Sequence, residues 1–439
     1  MESPTRNPET IHIVSKTDNR QHTVVNIAPS LDQTLPASSL RAQPTLLGLT
    51  SNNLSYARGG DLLHWYSNAI LRRVENISCP PTTPSGYNDQ SSWGIVPAWG
   101  YATVTESSIP GILSDSLIWG YWPTATSPAL LRLEPRDPEG HWVEVSSHRQ
   151  QLMPIYNRYE QTHPDEEKSL DERAWCALFR GVWVAGYLLS EYVFSPDPRA
   201  REPVHPLGAA SKLPWSADDS DLSSAVVIVL GASSKVARSF LWCLFHRPKE
   251  SRPLGLVQVT SSPSALQEMA DRKGWRNLSR TLAYTEIDGV TGWIEGLQPS
   301  KVVIVDCGAR DYVLHQICRN LQESELRSYK TVILQVGSQQ KVYTAEEVHA
   351  ARADMQSLGK IQYNTSGIQN TVIDREGART YFGNVSHRWK EWLADRASAI
   401  PDMQLVWGQG IAGAMGIYGG WEKLSNGAVR PEEGLVYAL

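Results

Sequence analysis

The feature that most constrains the fold is a regular alternation between residues 225 and 337. Short apolar runs alternate there with segments of helical periodicity, such as residues 235–245 and 312–321. Five of the runs are predicted strands: residues 225–230, 254–260, 281–287, 301–306 and 330–337. Continuous apolar strands separated by helices are typical of a parallel sheet that is covered on both faces. The sequence therefore predicts an α/β domain with a doubly wound parallel sheet and right-handed crossovers.

The chain on either side of this stretch has other patterns. Its 439 residues suggest two or three domains. Strands predicted at residues 11–14, 22–27 and 44–50 precede short segments rich in glycine, proline and tryptophan, which indicates a β-rich region up to about residue 135. Helices are predicted at residues 170–193 and 385–397, and a turn and final strand at residues 427–437. We expect three parts: a loose polar tail (1–10), a β-rich domain (11–180 and 350–439) and a nucleotide-binding domain (181–349).

Composition excludes several classes of protein. The chain has 41 Lys and Arg against 46 Asp and Glu, a net charge of −5, so it lacks the broad basic surface of a nucleic-acid-binding protein. No apolar run approaches the roughly 20 residues that cross a bilayer, and the polar start gives no sign of a secretory signal. The five cysteines, Cys79 among them, fit neither a disulfide framework nor a zinc cluster. We expect reduced, mostly structural thiols and a cytoplasmic location.

The turn after the first predicted strand of the α/β domain carries the strongest chemical signal. Its sequence is Gly231-Ala232-Ser233-Ser234-Lys235-Val236-Ala237. A strand–turn–helix of this kind directs backbone N–H groups and the positive helix end at an anion, and small residues let a pyrophosphate approach. Two of the three glycines of the usual Gly-x-Gly-x-x-Gly pattern are replaced, but serine hydroxyls and the Lys235 charge remain. The alternative is a small-residue turn that binds nothing.

The end of the second predicted strand bears on the choice of cofactor. An NAD site usually has an acidic residue there, whereas this chain has Thr260-Ser261-Ser262. Hydroxyl groups without a neighbouring carboxylate can bind a 2′-phosphate, so the sequence favours NADPH over NADH. Alternatively, these serines only cap the next helix, for which Ser262 is the predicted N-cap. Arg272 and Lys273 are either partners of that phosphate or a solvated helix end.

The ends of the fourth and fifth predicted strands complete the expected cofactor site. They have the sequences Asp306-Cys307-Gly308-Ala309-Arg310 and Gln335-Val336-Gly337-Ser338. Ligands of open α/β sheets bind beyond the carboxyl ends of the strands, so these ends are expected to line the nicotinamide. Lys341 and Tyr343 either face the substrate or are ordinary loop polarity. The predicted cofactor-binding residues are Gly231, Ser233, Ser234, Lys235, Val236, Ser261, Ser262, Cys307, Gly337 and Ser338.

The order of a β-rich domain, an α/β domain and a return segment resembles the medium-chain dehydrogenase/reductase superfamily. The turn from Gly231 to Ala237 looks like its quinone-reductase-type phosphate loop. Val305-Asp306-Cys307-Gly308 looks like its fourth strand end, and Leu424-Ser425-Asn426-Gly427-Ala428-Val429 resembles its closing helix, turn and strand. The resemblance implies a GroES-like β-rich domain joined to a Rossmann-type domain. Zinc-dependent members use a Cys, a Gly-His-Glu string and a four-Cys lobe, which this chain lacks, so the resemblance is to zinc-independent quinone and enoyl reductases.

A closer resemblance, to the DUF2855 family, covers most of the chain. It rests on four strings and on Ala232-Ser233-Ser234-Lys235 in the turn; the strings are Thr50-Ser51-Asn52-Asn53-Leu54-Ser55-Tyr56-Ala57, Trp93-Gly94-Ile95-Val96-Pro97-Ala98-Trp99-Gly100, Gly120-Tyr121-Trp122-Pro123 and Tyr156-Asn157-Arg158-Tyr159. The chain departs from the family at Leu178-Phe179-Arg180-Gly181-Val182-Trp183, where a Pro-Leu-Phe-x-Thr-Ser-like string is expected. That departure concerns the wall of the expected substrate cleft.

In the absence of zinc, a tyrosine hydroxyl is the expected proton donor. Tyr56 follows a loop that faces the cofactor in the superfamily, and Asn53 of that loop is expected to orient the substrate. Tyr156 and Tyr159, with Asn157, form a second candidate cluster, although a buried tyrosine more often satisfies a backbone group. The candidate catalytic residues are Tyr56, Tyr156, Tyr159 and Asn53.

These observations favour a zinc-independent NADPH-dependent oxidoreductase that reduces a carbonyl or enoyl group. Its substrate is expected to be a medium-sized, partly apolar metabolite held between two domains. One alternative is a reductase-like scaffold that acts as a non-redox isomerase, dehydratase or cyclase in a biosynthetic pathway. Another is a non-catalytic partner docked on a biosynthetic synthase, for which 16 Trp and 17 Tyr are suited. A homodimer is also compatible with the sequence.

Overall fold

A computed structural model describes residues 9–27, 34–68, 84–162 and 169–439 of the chain. Most of the predicted tail (1–10) and Cys79 lie outside the described residues. The chain divides into two compact units. Unit 1 comprises Met1–Gly181, Gln340–Tyr343 and Gln404–Leu439, and unit 2 comprises Val182–Gln339 and Thr344–Met403. Within the described residues, no helix combines the length and the apolarity that crossing a membrane requires.

Unit 1 is built mainly from β-strands. Its elements are β1 (Glu9–Ser15), β2 (His22–Ile27), β3 (Ser39–Leu49), α1 (Ser51–Arg58), β4 (Trp93–Gly94), β5 (Ala98–Ser107), β6 (Leu117–Trp122), β7 (Ala129–Arg136), β8 (His141–Glu144), β9 (Arg158–Gln161), α2 (Leu170–Trp175), β16 (Gln404–Gln409), α12 (Ile417–Ser425) and β17 (Glu433–Ala438). A small sheet has the order β2-β1-β4, and a large sheet has the order β16-β17-β3-β5-β6-β9-β8-β7.

An additional pairing between β3 and β7 closes six strands of the large sheet into a barrel. Inward-facing side chains such as Leu40, Val104 and Tyr121 are fully buried in its core. α1 begins after Thr50, whose side chain accepts a hydrogen bond from the Asn52 N–H in a capping box. This cap fixes the helix that carries Asn53 and Tyr56 at one end of β3.

Unit 2 contains the predicted parallel sheet. Its elements are α3 (Gly181–Leu188, of which only the first residue belongs to unit 1), α4 (Ala217–Ser220), β10 (Ala225–Leu230), α5 (Lys235–Phe245), β11 (Gly255–Thr260), α6 (Pro263–Arg272), β12 (Ser279–Ala283), α7 (Val290–Leu297), β13 (Lys301–Cys307), α8 (Asp311–Gln322), β14 (Lys330–Gly337), α9 (Ala345–Ser357), β15 (Ile361–Gln362), α10 (Thr365–Glu376) and α11 (Ala378–Ala399). The strand order is β12-β11-β10-β13-β14-β15, and every adjacent pair is parallel. This confirms the predicted doubly wound sheet.

Two sequence expectations need correction here. The return to the β-rich domain was expected at residue 350, but residues 344–403 cluster with unit 2 and the return occurs at Gln404. The α/β unit is extended by α9, β15, α10 and α11. The sequence predicted only residues 385–397 of α11, because α9 and α10 have weak helical periodicity. The third strand ends at Ala283, earlier than predicted, because Ile287 begins a short 3₁₀ turn.

The predicted helix at residues 170–193 is interrupted by π-helical turns. One spans Cys176–Arg180, between α2 and α3, and the other spans Leu189–Val193 after α3. Each π turn adds a residue to the ladder and rotates the face that follows it, and such turns are frequent at functional sites. The first turn coincides with the string in which the sequence departs from the DUF2855 pattern.

Candidate functional site

The turn between β10 and α5 has the geometry of an anion-binding loop. Gly231 has φ of +65°, a value that a side chain would strain. The Ser234 side chain accepts the Ala237 N–H at 3.3 Å and caps the helix. Among the described residues, the main-chain N–H groups of Ser233 and Val236 have no protein acceptor. With the positive end of α5, these donors can bind a phosphate.

Lys235 is the first residue of α5 and supplies the charge of this loop. It is half-buried. Burial and, to a smaller extent, the neighbouring Arg238 charge lower the pKa of Lys235 to about 8. An anion at the loop would favour the charged form. Lys235 is therefore placed to carry its charge when a phosphate is bound.

The ends of β10, β13 and β14 converge on this loop, as predicted. A Cβ on Gly231 would lie 3.2 Å from the Cys307 carbonyl oxygen, and one on Gly337 would lie 3.0 Å from it. A Cβ on Gly308, at φ +102°, would lie only 2.4 Å from the Ser338 carbonyl oxygen. The structure therefore brings together Gly231, Cys307, Gly337 and Ser338. Burial raises the pKa of the Cys307 thiol, which favours its neutral form. The role of Cys307 in cofactor binding stays a prediction.

Arg238 anchors the loop from inside the unit, and the sequence analysis missed it. Its Nε donates to the Ser233 carbonyl at 2.9 Å. Its two Nη atoms donate to the Asp402 carboxylate at 2.7 and 2.6 Å. Arg238 is 1% exposed. An arginine one turn after a phosphate loop, on an otherwise apolar helix, was the available signal.

The end of β11 places Ser261 and Ser262 as the sequence predicted, with one difference. Ser262 occupies the N-cap position of α6, but its side chain makes no cap hydrogen bond. Its N–H instead donates to the Thr260 hydroxyl at 3.1 Å. The alternative prediction, that these serines only cap the next helix, is therefore wrong for Ser262, whose hydroxyl makes no cap hydrogen bond.

Arg272 and Lys273 are wrong as phosphate partners. They lie at the far end of α6, about 15 Å of helix from Ser262. Lys273 pairs with Asp395 at 2.7 Å, and Arg272 pairs with Glu268 one turn earlier. Both cations are thus engaged at the other end of the helix, as in the solvated-end alternative.

Arg310 and Tyr284 lie beyond the same edge of the sheet. Arg310 ends the string that was expected to line the nicotinamide, whereas Tyr284 was not predicted as a site residue. The Arg310 guanidinium is 4.9 Å from the centroid of the Tyr284 ring. Tyr284 follows β12 and Arg310 follows β13, and β11 and β10 lie between these strands in the sheet. The contact therefore extends across the carboxyl ends of β11 and β10. It places a cation on the side of the sheet where Ser261 and Ser262 end β11.

In unit 1, Tyr56 lies in an aromatic cluster and is 5% exposed. The Trp99 indole N–H donates to its hydroxyl at 3.3 Å. Its ring centroid lies 5.7 Å from that of Tyr156 and 5.2 Å from that of Tyr121. Burial raises the pKa of Tyr56, and side-chain hydrogen bonds with Trp99, Tyr156 and Asn52 lower it in part. The structure thus brings the two predicted tyrosines, Tyr56 and Tyr156, together.

The other two predicted catalytic residues have structural roles. The Tyr159 hydroxyl donates to the Tyr121 carbonyl at 2.9 Å and accepts from Arg149 at 3.1 Å, with the side chain fully buried. The Asn53 amide donates to the Pro97 carbonyl at 2.9 Å and accepts from the Thr50 N–H at 2.7 Å. Both side chains use their polar atoms in hydrogen bonds within the protein, and their catalytic roles stay predictions.

The sequence analysis also named three other side chains of unit 1, those of Asn157, Lys341 and Tyr343. Asn157, predicted beside Tyr156, exchanges hydrogen bonds with Arg149 at 2.8 and 3.0 Å and is therefore structural. The Tyr343 ring lies between two cations, 4.5 Å from the Arg58 guanidinium and 4.8 Å from the Lys341 ammonium. In the described part of the chain, no group of three or more His, Cys, Asp or Glu side chains could hold a metal ion.

The sequence of residues 47–430 matches the family described as "Protein of unknown function (DUF2855)". The chain belongs to the DUF2855 family. This confirms the resemblance on which the sequence analysis relied. No curated protein matches the chain.

Solved structures establish the fold of this DUF2855 protein. Etr1p in complex with NADP and crotonyl-CoA aligns with a TM-score of 0.52 at 8% identity, over 99% of this chain and 100% of Etr1p. The mitochondrial 2-enoyl thioester reductase Etr1p/Etr2p heterodimer from Candida tropicalis gives 0.50 at 9%, over 99% and 100%. CurA in complex with NADPH from Vibrio vulnificus gives 0.50 at 10%, over 98% of each chain. The predicted fold, a GroES-like β-rich part and a Rossmann-type part, is confirmed.

Proposed function

We propose that this DUF2855 protein is a zinc-independent, NADP(H)-dependent reductase of a carbonyl or enoyl group in a medium-sized, partly apolar metabolite. The observation that carries the proposal is the loop at Gly231–Lys235. It presents N–H donors and a lysine at the carboxyl edge of a parallel sheet, next to converging strand ends. Two proteins of similar fold, Etr1p in complex with NADP and CurA in complex with NADPH, support the choice of cofactor.

The residues present fit a dinucleotide phosphate group by group. The N–H groups of Ser233 and Val236, with Lys235, would hold the pyrophosphate. Ser261, Ser262 and Arg310 would hold a 2′-phosphate, because hydroxyls and a guanidinium bind phosphate oxygens and β11 is followed by no acidic side chain. The bound dinucleotide would supply a hydride to the unsaturated carbon of the substrate.

The protein must then supply one proton for each hydride. Tyr56 would donate its hydroxyl proton to the α-carbon of an enoyl group, or to the oxygen of a carbonyl, and would be left as a phenolate. The Trp99 N–H would stabilise that phenolate, and a proton from water would restore the hydroxyl. The substrate gains one hydride and one proton, so two hydrogen atoms are added overall.

Calorimetric titration with NADPH and with NADH tests the cofactor. We expect NADPH to bind and NADH to bind more weakly. Lys235→Glu reverses the charge at the loop and should abolish binding, whereas Lys249→Glu makes the same change at an exposed site of unit 2 and should not. Binding of neither dinucleotide to the full chain would rule the proposal out.

Turnover tests the proton donor. Crotonyl-CoA with NADPH serves as a probe, followed by the loss of absorbance at 340 nm. Tyr56→Phe should lower kcat about 10²-fold or more and leave NADPH affinity unchanged. Tyr159→Phe should leave kcat per folded molecule unchanged and lower stability. Equal losses of kcat in the two variants would argue against Tyr56 as the donor.

A non-redox enzyme on the same scaffold is the second candidate. The turn favours it in one respect, since Ser234 and Ala237 replace two of the three glycines that a dinucleotide loop usually has. Tyr56 and Tyr156 could move protons in an isomerisation without any hydride transfer. Turnover of a substrate by protein freed of nucleotide would support this candidate, and strict dependence on NADPH would exclude it.

A further inference from the structure

The hydroxyl of Tyr56 receives a hydrogen bond from an indole that is itself held in place. Trp99 lies on β5, and its Nε1 donates to the Tyr56 hydroxyl at 3.3 Å. The Trp99 ring is stacked on Trp119 of β6, with centroids 4.7 Å apart and planes 16° from parallel. The indole therefore cannot turn its N–H away without leaving the stack.

The stack continues to a buried ion pair. The Arg180 guanidinium lies 4.9 Å from the Trp119 ring centroid. Arg180 also pairs with Glu160 at 2.6 Å, and the two side chains are 7% and 17% exposed. A cation that is fixed by a carboxylate holds the aromatic face it covers. Glu160, Arg180 and the two tryptophans thus form one row that ends at Tyr56.

Gly181 supports the same indole from its N–H edge. A Cβ on Gly181 would lie 3.0 Å from Trp99 Nε1 and 3.1 Å from Cδ1. Only a residue without a side chain leaves the indole in its present position. Arg180 ends the π-helical turn at Cys176–Arg180 and Gly181 begins α3, and both belong to the string that departs from the DUF2855 pattern. This departure thus contributes one contact to each tryptophan, Arg180 to Trp119 and Gly181 to Trp99.

We propose that Trp99 is a positioning residue that holds its indole N–H on the Tyr56 hydroxyl and so favours loss of the proton from that hydroxyl. This rests on the proposed function only for the role of Tyr56 as proton donor. A phenolate at Tyr56 would accept the indole N–H, and an N–H donor stabilises the charged form of the group it contacts. Among the described residues, the other titratable groups that face Tyr56 are the phenols of Tyr121 and Tyr156, and its hydroxyl also has side-chain hydrogen bonds with Tyr156 and Asn52. Burial raises the pKa of both phenols well above its ordinary value.

A fluorinated tyrosine at position 56 tests the proposal directly. We would replace Tyr56 in the full-length protein by 3-fluorotyrosine, whose phenol is more acidic than that of tyrosine, and titrate it by ¹⁹F NMR without cofactor. Trp99→Phe keeps an aromatic ring in the stack and removes the N–H. The matched control is Trp119→Phe, because Trp119 Nε1 has no partner among the described residues.

We expect Trp99→Phe to raise the pKa at position 56 by about half a unit to one unit, the effect of one hydrogen bond. Trp119→Phe should produce a clearly smaller rise. No shift with Trp99→Phe, or an equal shift with both variants, would overturn the proposal. If Trp99→Phe fails to fold, Gly181→Ala takes its place: it retains every donor but displaces the indole, so a raised pKa supports the proposal and an unchanged one refutes it.

This measurement is independent of the cofactor. If the protein binds no NADPH but shows the shift, the proposed role of Trp99 stands and the proposed reductase function is refuted. If the protein binds NADPH and shows no shift, the proposed function stands and the proposed role of Trp99 is refuted. Turnover adds a further readout, since Trp99→Phe should lower kcat and leave the KM of the substrate nearly unchanged.

Discussion

Lys235 combines two properties at one residue. It occupies the first position of α5, where the helix end already favours anions, and it is half-buried beside the buried Arg238. Burial and the Arg238 charge hold the pKa of Lys235 at about 8. The residue therefore changes charge within a pH range in which NADPH affinity can be measured.

Lys235 makes NADPH affinity dependent on pH in a stated direction. A bound pyrophosphate favours the charged lysine, so the pKa is higher in the complex than the value of about 8 in the free protein. Binding then takes up a proton above pH 8, and the Kd should rise by up to about tenfold per pH unit. Calorimetry between pH 7 and 9.5, in buffers of different ionisation enthalpy, measures both effects. Lys235→Arg should remove the dependence because arginine stays charged; a dependence that persists in this variant would assign it to another group.

Arg310 should determine the preference for NADPH over NADH. If its guanidinium binds the 2′-phosphate, Arg310→Ala removes a charge-assisted hydrogen bond and should raise the Kd of NADPH about 10- to 100-fold. The Kd of NADH should change little. Arg280→Ala is the control, since Arg280 also covers an aromatic ring, that of Trp293, at 5.0 Å. An equal loss for both dinucleotides would contradict the assignment.

At the scale of elements, the loop depends on a contact with a distant part of the chain. Arg238 on α5 bonds the Ser233 carbonyl and the Asp402 carboxylate, and Asp402 lies after α11. A buried arginine that loses its carboxylate is left with an uncompensated charge. The segment after α11 therefore fixes the conformation of a loop that lies more than 160 residues earlier.

Asp402→Ala should lower the free energy of unfolding by about 3 kcal/mol, the low end of the range for breaking a buried ion pair, because Asp402 is 20% exposed. It should also weaken NADPH binding, since the Ser233 carbonyl loses its fixed donor. Urea unfolding and calorimetry measure the two effects. Asp402→Asn keeps an acceptor oxygen and should lie between the wild type and Asp402→Ala. A change of less than about 0.5 kcal/mol in Asp402→Ala would show that the pair is not stabilising.

The strands of the parallel sheet could be predicted because each is a continuous apolar run with a distinct end. β10 and β14 have the predicted bounds, and β13 extends one residue further. Residues at strand ends, such as Gly231 and Gly337, followed from the same pattern, since parallel strands end at one edge. α9 and α10 were missed, because their weak amphipathicity leaves little periodicity to detect.

Residues whose role depends on a distant partner could not be predicted. Trp99 is separated from Tyr56 by 43 positions, and Arg238 from Asp402 by 164. Tyr159 was assigned a catalytic role because the sequence does not show that its hydroxyl bonds the Tyr121 carbonyl. Pairing across the fold decides which polar side chains are already satisfied, and a single sequence does not contain that information.

At the scale of the whole molecule, each unit has its own core. Residues such as Val104 and Tyr121 form that of unit 1, and residues such as Ile228 and Ile304 form that of unit 2. The cofactor residues lie in unit 2 and the tyrosine cluster lies in unit 1. A measurement that covers the entire chain can therefore show which unit a bound dinucleotide contacts.

Hydrogen exchange followed by mass spectrometry provides that measurement. NADPH should slow exchange at the ends of β10, β11, β13 and β14, because bound phosphate oxygens accept N–H groups that otherwise exchange with water. NADH should protect the end of β11 less, since it lacks the 2′-phosphate, and the hairpin of β1 and β2 should be unaffected by either. Protection elsewhere in the chain, at concentrations where calorimetry detects binding, would place the dinucleotide at another site. If both dinucleotides protect the end of β10 and protect the end of β11 equally, the pyrophosphate loop is supported. Ser261 and Ser262 then do not distinguish NADPH from NADH.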